Sequence, residues 1–219
     1  MWIRSFYGFS PEEDGYVGWS QEVGRDHILK DISDGDLILI YGAGSKETER
    51  SLRSYVLGFV QVETRRIRDV NKASPEALRL QAANGWAEKW TFGIPVRRAW
   101  RAQEKLMIRT IAFRTYRAEA GQAIGVWGAP LEPDEIDRAL KIKVAEVSVF
   151  GEPPIAFETI TNKPLGDVFK PSKAFPGSAG VRTSTYLDSE TFLYIARFEG
   201  DGHALVGRTK EDLETNVSH

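Results

Sequence analysis

Five consecutive apolar residues, Leu37-Ile38-Leu39-Ile40-Tyr41, stand between Asp34-Gly35-Asp36 and Gly42. The run is too short for a membrane helix, and its β-branched side chains between turn residues favour a buried strand over a helix. The rest of the fold has to be arranged around it.

Neighbouring segments supply partners. Tyr55-Val56-Leu57-Gly58-Phe59-Val60 reads as a second buried strand, with Gly58 permitting a bulge or a close backbone approach. Trp2 to Phe9 alternates large apolar with polar residues and predicts an opening strand. Ile28, Leu29 and Ile32 predict a short amphipathic helix over 24–33, and Gly42 to Ser54 reads as a mobile loop. Ser74-Pro75-Glu76 is a helix start that Asn84-Gly85 should end. Residues 91–101 resume strand character, and Pro95 makes that strand an edge or an irregular one. Glu132-Pro133-Asp134 opens another helix, followed by a strand through Val144, Val147 and Val149. Strands with a few helices and no regular alternation indicate an α+β fold.

From 151 to 191 the chain carries five prolines and little apolar pattern, as expected of a wrapping connection. A hairpin should follow, Phe192 to Phe198 returning to Val206 through a turn at 199–202. The expected division is a domain at 1–150 and an extension at 151–219.

Composition narrows the chemistry. The 219 residues contain no cysteine and only three histidines, which removes disulfides, thiolate zinc sites and cysteine nucleophiles. Gly42-Ala43-Gly44-Ser45-Lys46 lacks the spacing of a phosphate-cradling loop, and neither His27 nor His203 has a recognisable triad context. The expectation is no catalytic residue, no metal and no cofactor. Without a basic-then-apolar leader or a membrane-length run, the expected location is cytoplasmic.

The net charge of −2 hides an asymmetry. Residues 46–118 hold 16 Lys/Arg against 7 Asp/Glu, while the remainder is strongly acidic. A basic face suits a phosphate backbone, so nucleic acid is the expected partner. Arg97, Arg98, Arg101, Lys105 and Arg109 are the candidate phosphate contacts, with Arg65, Arg66 and Arg68 behind them.

Three of six tryptophans fall in contexts that core packing does not explain. Trp19 lies between a loop and a helix beside Gly18 and Ser20, and Trp86 and Trp90 flank Ala87-Glu88-Lys89 just after a helix end. An indole in a loop has to be covered by protein or by a ligand. Trp2 and Trp100, in alternating strands, read as core.

Gly18-Trp19-Ser20, the strand to Tyr41, Gly58-Phe59-Val60-Gln61-Val62 and Gly85-Trp86-Ala87-Glu88-Lys89-Trp90 together resemble the YTH and EVE domains, over about residues 1–115. Those are PUA-like barrels with flanking short helices whose tryptophan cage holds a methylated base. The resemblance implies that Trp19, Trp86 and Trp90 form the cage and that Ser20 sits beside the base edge. The gap between Trp86 and Trp90 is one residue shorter than in YTH domains. The tail Leu193-Tyr194-Ile195 to Leu205-Val206-Gly207-Arg208-Thr209 faintly resembles the opening hairpin of GIY-YIG nucleases, without their later arginine and glutamate. The expected function is a reader of a modified base in DNA or RNA. The alternatives are the reader half of a modification-dependent nuclease and a protein-interaction module.

Overall fold

The structure, a computed structural model, describes residues 1–64, 73–117, 121–152 and 162–169, with the strand backbones 183–187, 194–198 and 204–207. Arg65, Arg66 and Arg68 lie outside the described residues. The chain divides into two compact units, Met1–Phe169 and Lys170–His219.

The first unit carries β1 (Trp2–Phe6), β2 (Tyr16–Trp19), α1 (Glu22–Leu29), β3 (Leu37–Gly42), β4 (Val56–Val62), α2 (Pro75–Ala83) and β5 (Phe92–Ala102). There follow α3 (Ile108–Ile111), α4 (Gly121–Trp127), β6 (Ala129–Pro130), α5 (Pro133–Ala139), β7 (Lys143–Val147), β8 (Lys163–Pro164) and α6 (Leu165–Val168). The strands form one sheet in the order β6-β1-β3-β4-β5-β7-β8, with β2 joined to the first half of β5. β1 runs parallel to β3, Trp2 opposite Ile38 and Phe6 opposite Gly42, and the other pairings are antiparallel. The result is a mixed α+β unit whose sheet curls strongly into a half-barrel flanked by short helices.

The all-apolar β3 is explained by two clusters. Leu37, Leu39 and Tyr41 join Ile3, Phe59, Trp100, Ile142 and Leu165. Ile38 and Ile40 join Trp2, Val17, Trp19, Ile28, Val60 and Ile94. Successive side chains of a strand point to opposite faces, so a strand covered on both sides needs an apolar residue at every position. Trp2 and Trp100 are core as expected, 6% and 0% exposed. Gly58 serves the close backbone approach expected of it: a side chain there would meet the Trp100 carbonyl first and then the ring of Phe9 at 2.6 Å.

Two local readings change and a third is narrowed. Of the two alternatives for residues 91–101 the irregular strand holds and the edge does not: β5 pairs with β2 and β4, then with β7. Pro95 is tolerated because the register to β4 shifts between Gln61 and Val62, and its carbonyl still accepts from Glu63 N at 2.8 Å. Helix α1 stops at Leu29 rather than 33, because the Asp36 carboxylate accepts from Ser33 N at 2.8 Å and closes a turn there. The 42–54 segment is pinned, with the Arg53 guanidinium donating to the carbonyls of Thr48 and Lys46.

One carboxylate near α2 is held against its preference. Asp14 bridges to Ala73, and Ser74 N donates to the Glu13 carbonyl at 2.8 Å. Burial, then the adjacent Glu13, push the Asp14 carboxyl up to about 6, and its Oδ1 has no hydrogen-bond partner. A folded value above the unfolded one of about 3.9 means a contribution to stability that is complete below about pH 4. That contribution is lost as pH rises through 6. Asp14→Asn is therefore expected to stabilise the protein at pH 7 by up to about 2 kcal/mol, with the gain gone near pH 4. Urea melts at the two pH values check it, and an equal effect at both would remove Asp14 as the titrating group.

The second unit contains an antiparallel sheet in the order β11-β10-β9, built from β9 (Thr183–Leu187), β10 (Tyr194–Phe198) and β11 (Ala204–Gly207). The hairpin read from the sequence is there, Tyr194 opposite Gly207, and β9 adds a third strand to it. Among the described residues no helix is long and apolar enough to cross a membrane.

Candidate functional site

The tryptophan loop is built from its helix end. After α2, Gly85 adopts φ +70°, its N–H donates to Ala82 O, and Trp86 N donates to Gln81 O at 2.7 Å. This double reverse bond is a Schellman closure, which needs a left-handed residue that glycine supplies without strain. Trp86 thus leaves the helix in a fixed direction, and Lys89 N returns to Trp86 O at 2.8 Å.

Trp90 has φ +59°, a conformation costing a bulky residue about 1–3 kcal/mol unless its surroundings impose it. What imposes it is β2: a side chain on Gly18 would begin 2.5 Å from Trp90 Cβ. The glycine of the Gly18-Trp19 pair is what admits Trp90 against the strand.

An open cavity of about 690 Å³ lies between the ends of β1 and β2, the 43–45 turn and α4. Trp19, Ser20, Trp90 and Tyr7 line one part, Arg4, Ser5 and Phe6 another, and Tyr41, Tyr116 and Ser45 carry further hydroxyls. Of the residues expected in the cage, Trp19, Ser20 and Trp90 meet here. Trp86 does not line the cavity; it braces Trp90 at 5.7 Å and Tyr7 at 5.4 Å between ring centres. Tyr7 stands edge-on to Trp90 at 5.5 Å, with the Lys89 ammonium 5.3 Å from the Tyr7 ring.

The two lining tryptophans differ. Trp90 is half-buried, whereas Trp19 is 2% exposed and packed among Val17, Ile28 and Ile94. Trp19 ends a strand rather than sitting in a loop, which the short β2 segment did not announce. The Arg4 guanidinium lies 3.6 Å from the centre of its ring. Burial, helped by the nearby Tyr116, outweighs the lowering by a hydrogen bond to Ser5 and leaves the Tyr41 hydroxyl pushed up to about 12, so it enters any contact as a neutral donor.

Three of the five candidate phosphate contacts are committed to the protein itself. Arg97 reaches Asp34 and Glu63, at 3.4 and 3.5 Å. Arg98 holds Glu146 through two bonds of 2.7 and 3.0 Å, and Arg101 holds Glu12 at 2.8 and 2.9 Å. Lys105 is exposed above the Tyr55 ring at 4.5 Å, and Arg109 is exposed on α3. None of these five lines the cavity. Their carboxylates come from positions 12, 34, 63 and 146, far along the chain, so neutralisation was invisible to a local charge count.

Sequence reasoning missed Arg4 and Tyr7. The available signal was an arginine inside the alternation of the opening strand, at a position whose neighbours on that face, Trp2 and Phe6, are apolar. A second cavity of about 400 Å³ is lined mainly by apolar atoms of Ile124, Trp127 and Ala129, with His27 edge-on to Trp127 at 5.3 Å. Among the described residues no group of three or more His, Cys, Asp or Glu side chains gathers to hold a metal ion. No family model, curated protein or solved structure matches the chain.

Proposed function

We propose that the chain is a PUA-like, cytoplasmic nucleic-acid-binding module that reads a modified, methylated base in DNA or RNA. The observation that carries this reading is the convergence of Trp19, Ser20 and Trp90 on one open cavity. Its volume of about 690 Å³ falls within the roughly 300–1,000 Å³ of small-molecule sites.

A flat heterocycle gains about 1–3 kcal/mol by stacking on an aromatic side chain, and a buried methyl adds about 0.8 kcal/mol. Trp90 supplies the accessible indole, Trp86 and Tyr7 hold it in place, and Ser20, exposed at the cavity, faces the base edge. Lys89 is the cation on the cage itself. Phosphates then fall to Lys105 and Arg109, and to Arg97, Arg98 and Arg101 where they exchange a protein carboxylate for a phosphate.

Trp90→Ala is expected to weaken binding to an oligonucleotide carrying a modified base by about 1–3 kcal/mol. Binding to the unmodified oligonucleotide should change much less, and the loss should persist at high salt because stacking is not screened. Trp86→Ala should give a smaller loss, since that ring acts through Trp90. Calorimetric titrations at two salt concentrations test it, and unchanged affinity in Trp90→Ala would overturn the cage.

A further inference from the structure

Among the described residues two arginines are buried, and they are treated oppositely. Arg25, 5% exposed, is held by Glu22 at 3.0 Å and Asp26 at 2.9 Å. Arg4, 4% exposed, lines the cavity with Nε and Nη1 lacking any hydrogen-bond partner, and no carboxylate pairs with it among the described residues. It occupies a core position of β1 between Trp2 and Phe6, opposite Ile40. The aromatic faces of Trp19 at 3.6 Å and Phe6 at 4.9 Å fix the guanidinium but offer it no acceptor. Trp19 Nε1 is also without a partner. The enclosed, partnerless side-chain atoms of the residues that line the cavity are thus all donors.

We propose that Arg4 is the specificity-determining group of the cavity and that the ligand is a base presenting a ring carbonyl to it. This rests on the base-reading function above. A buried cation without a counter-charge or acceptor is unfavourable in the empty protein. A ligand acceptor offsets that cost, and hydrogen bonds to a charged group are stronger than neutral ones. Cytosine, guanine, thymine and uracil carry a ring carbonyl; adenine carries none, and methylation at N6 does not create one. A phosphate oxygen could satisfy the same donor, so the probes have to share every phosphate.

The full chain is titrated with hexanucleotides bearing one base flanked by abasic positions: cytosine, 5-methylcytosine, guanine, adenine or N6-methyladenine. The carbonyl-bearing bases should bind roughly 10- to 100-fold tighter than the adenines. Arg4→Met should bring all five to near parity while leaving the Trp90-dependent affinity, and should melt no lower than the parent protein; Arg4→Lys should keep part of the preference. Parity of the five probes on the unmodified protein, with Trp90 still required, overturns the role of Arg4 and leaves base reading intact. A uniform loss in Arg4→Met identifies a phosphate contact and overturns it too. A lower melting temperature of Arg4→Met makes the residue structural. If no probe binds the parent protein, both proposals fall.

Discussion

Trp19→Ala is expected to cost about 3–5 kcal/mol of stability, the range for deleting a fully buried large aromatic side chain. The indole is 2% exposed, packs with Val17, Ile28 and Ile94, and carries the guanidinium of Arg4 on its face. Its removal leaves a void and takes away the closer of two aromatic surfaces over a buried cation. In a chain of this size the melting temperature should fall on the order of 10 °C. Trp90, half-buried and held in a left-handed conformation, should behave differently: Trp90→Ala loses contacts to Tyr7 and Trp86 but opens no closed cavity. The pair of melts separates an indole that builds the wall from one that meets the ligand. A Trp19→Ala melt indistinguishable from that of Trp90→Ala would make Trp19 a freely accessible lining residue instead.

The second large effect is expected far from the cavity. Glu135, 0% exposed, gathers four donors: Arg114 N at 2.6 Å, Thr115 N at 2.9 Å, the Thr115 hydroxyl at 2.5 Å and Glu132 N at 3.0 Å. It caps α5 and, in the same act, fastens the 113–115 segment that leads toward Tyr116 and α4 on the cavity side. Burial alone would push the carboxyl up, but the bonds from Thr115, Glu132 and Arg114 outweigh it and hold it below the usual carboxylate range. A folded value below the unfolded one gives stability that is present above about pH 4.3 and lost as the pH falls through the lowered folded value. Glu135→Ala should cost about 3–4 kcal/mol at pH 7, because three backbone N–H groups are orphaned at once. Glu135→Gln should cost less, since one oxygen still accepts, and it should flatten the acid limb of the stability curve. An alanine variant within about 1 kcal/mol of the parent protein would mean that the segment finds other acceptors. Asp14 bends the same curve the opposite way, so a double variant tests whether the two titrations are independent.

Local chemistry in the chain was readable where a residue's role is set by its immediate neighbours. Ser74-Pro75 and Asn84-Gly85 bounded α2 because capping acts within four residues. The run Leu37 to Tyr41 declared a buried strand, and Trp2 and Trp100 declared themselves core by strand alternation. The short strand β2 was not readable: four residues ending in Gly18-Trp19 carry too little pattern, and their pairing to β5 is decided some 75 residues downstream.

The tryptophans illustrate the same boundary. Sequence order singled out Trp19, Trp86 and Trp90, yet only assembly of the sheet could sort them into a buried wall, a brace and an accessible face. Gly18 decides that sorting by admitting Trp90 against β2, a contact between residues 72 positions apart. The arginines followed the opposite course. Their density was plain in the sequence, but Arg97, Arg98 and Arg101 are neutralised by carboxylates brought from β7 and from distant loops. Arg4 drew no notice in the sequence, and the fold leaves it buried without an acceptor. The sequence determined element types, helix ends and the apolar frame, because these follow from interactions within a turn or along a strand. The tertiary structure alone decided which charges are satisfied and which rings face open space, because Coulomb attraction and packing act through distance in space, not separation along the chain.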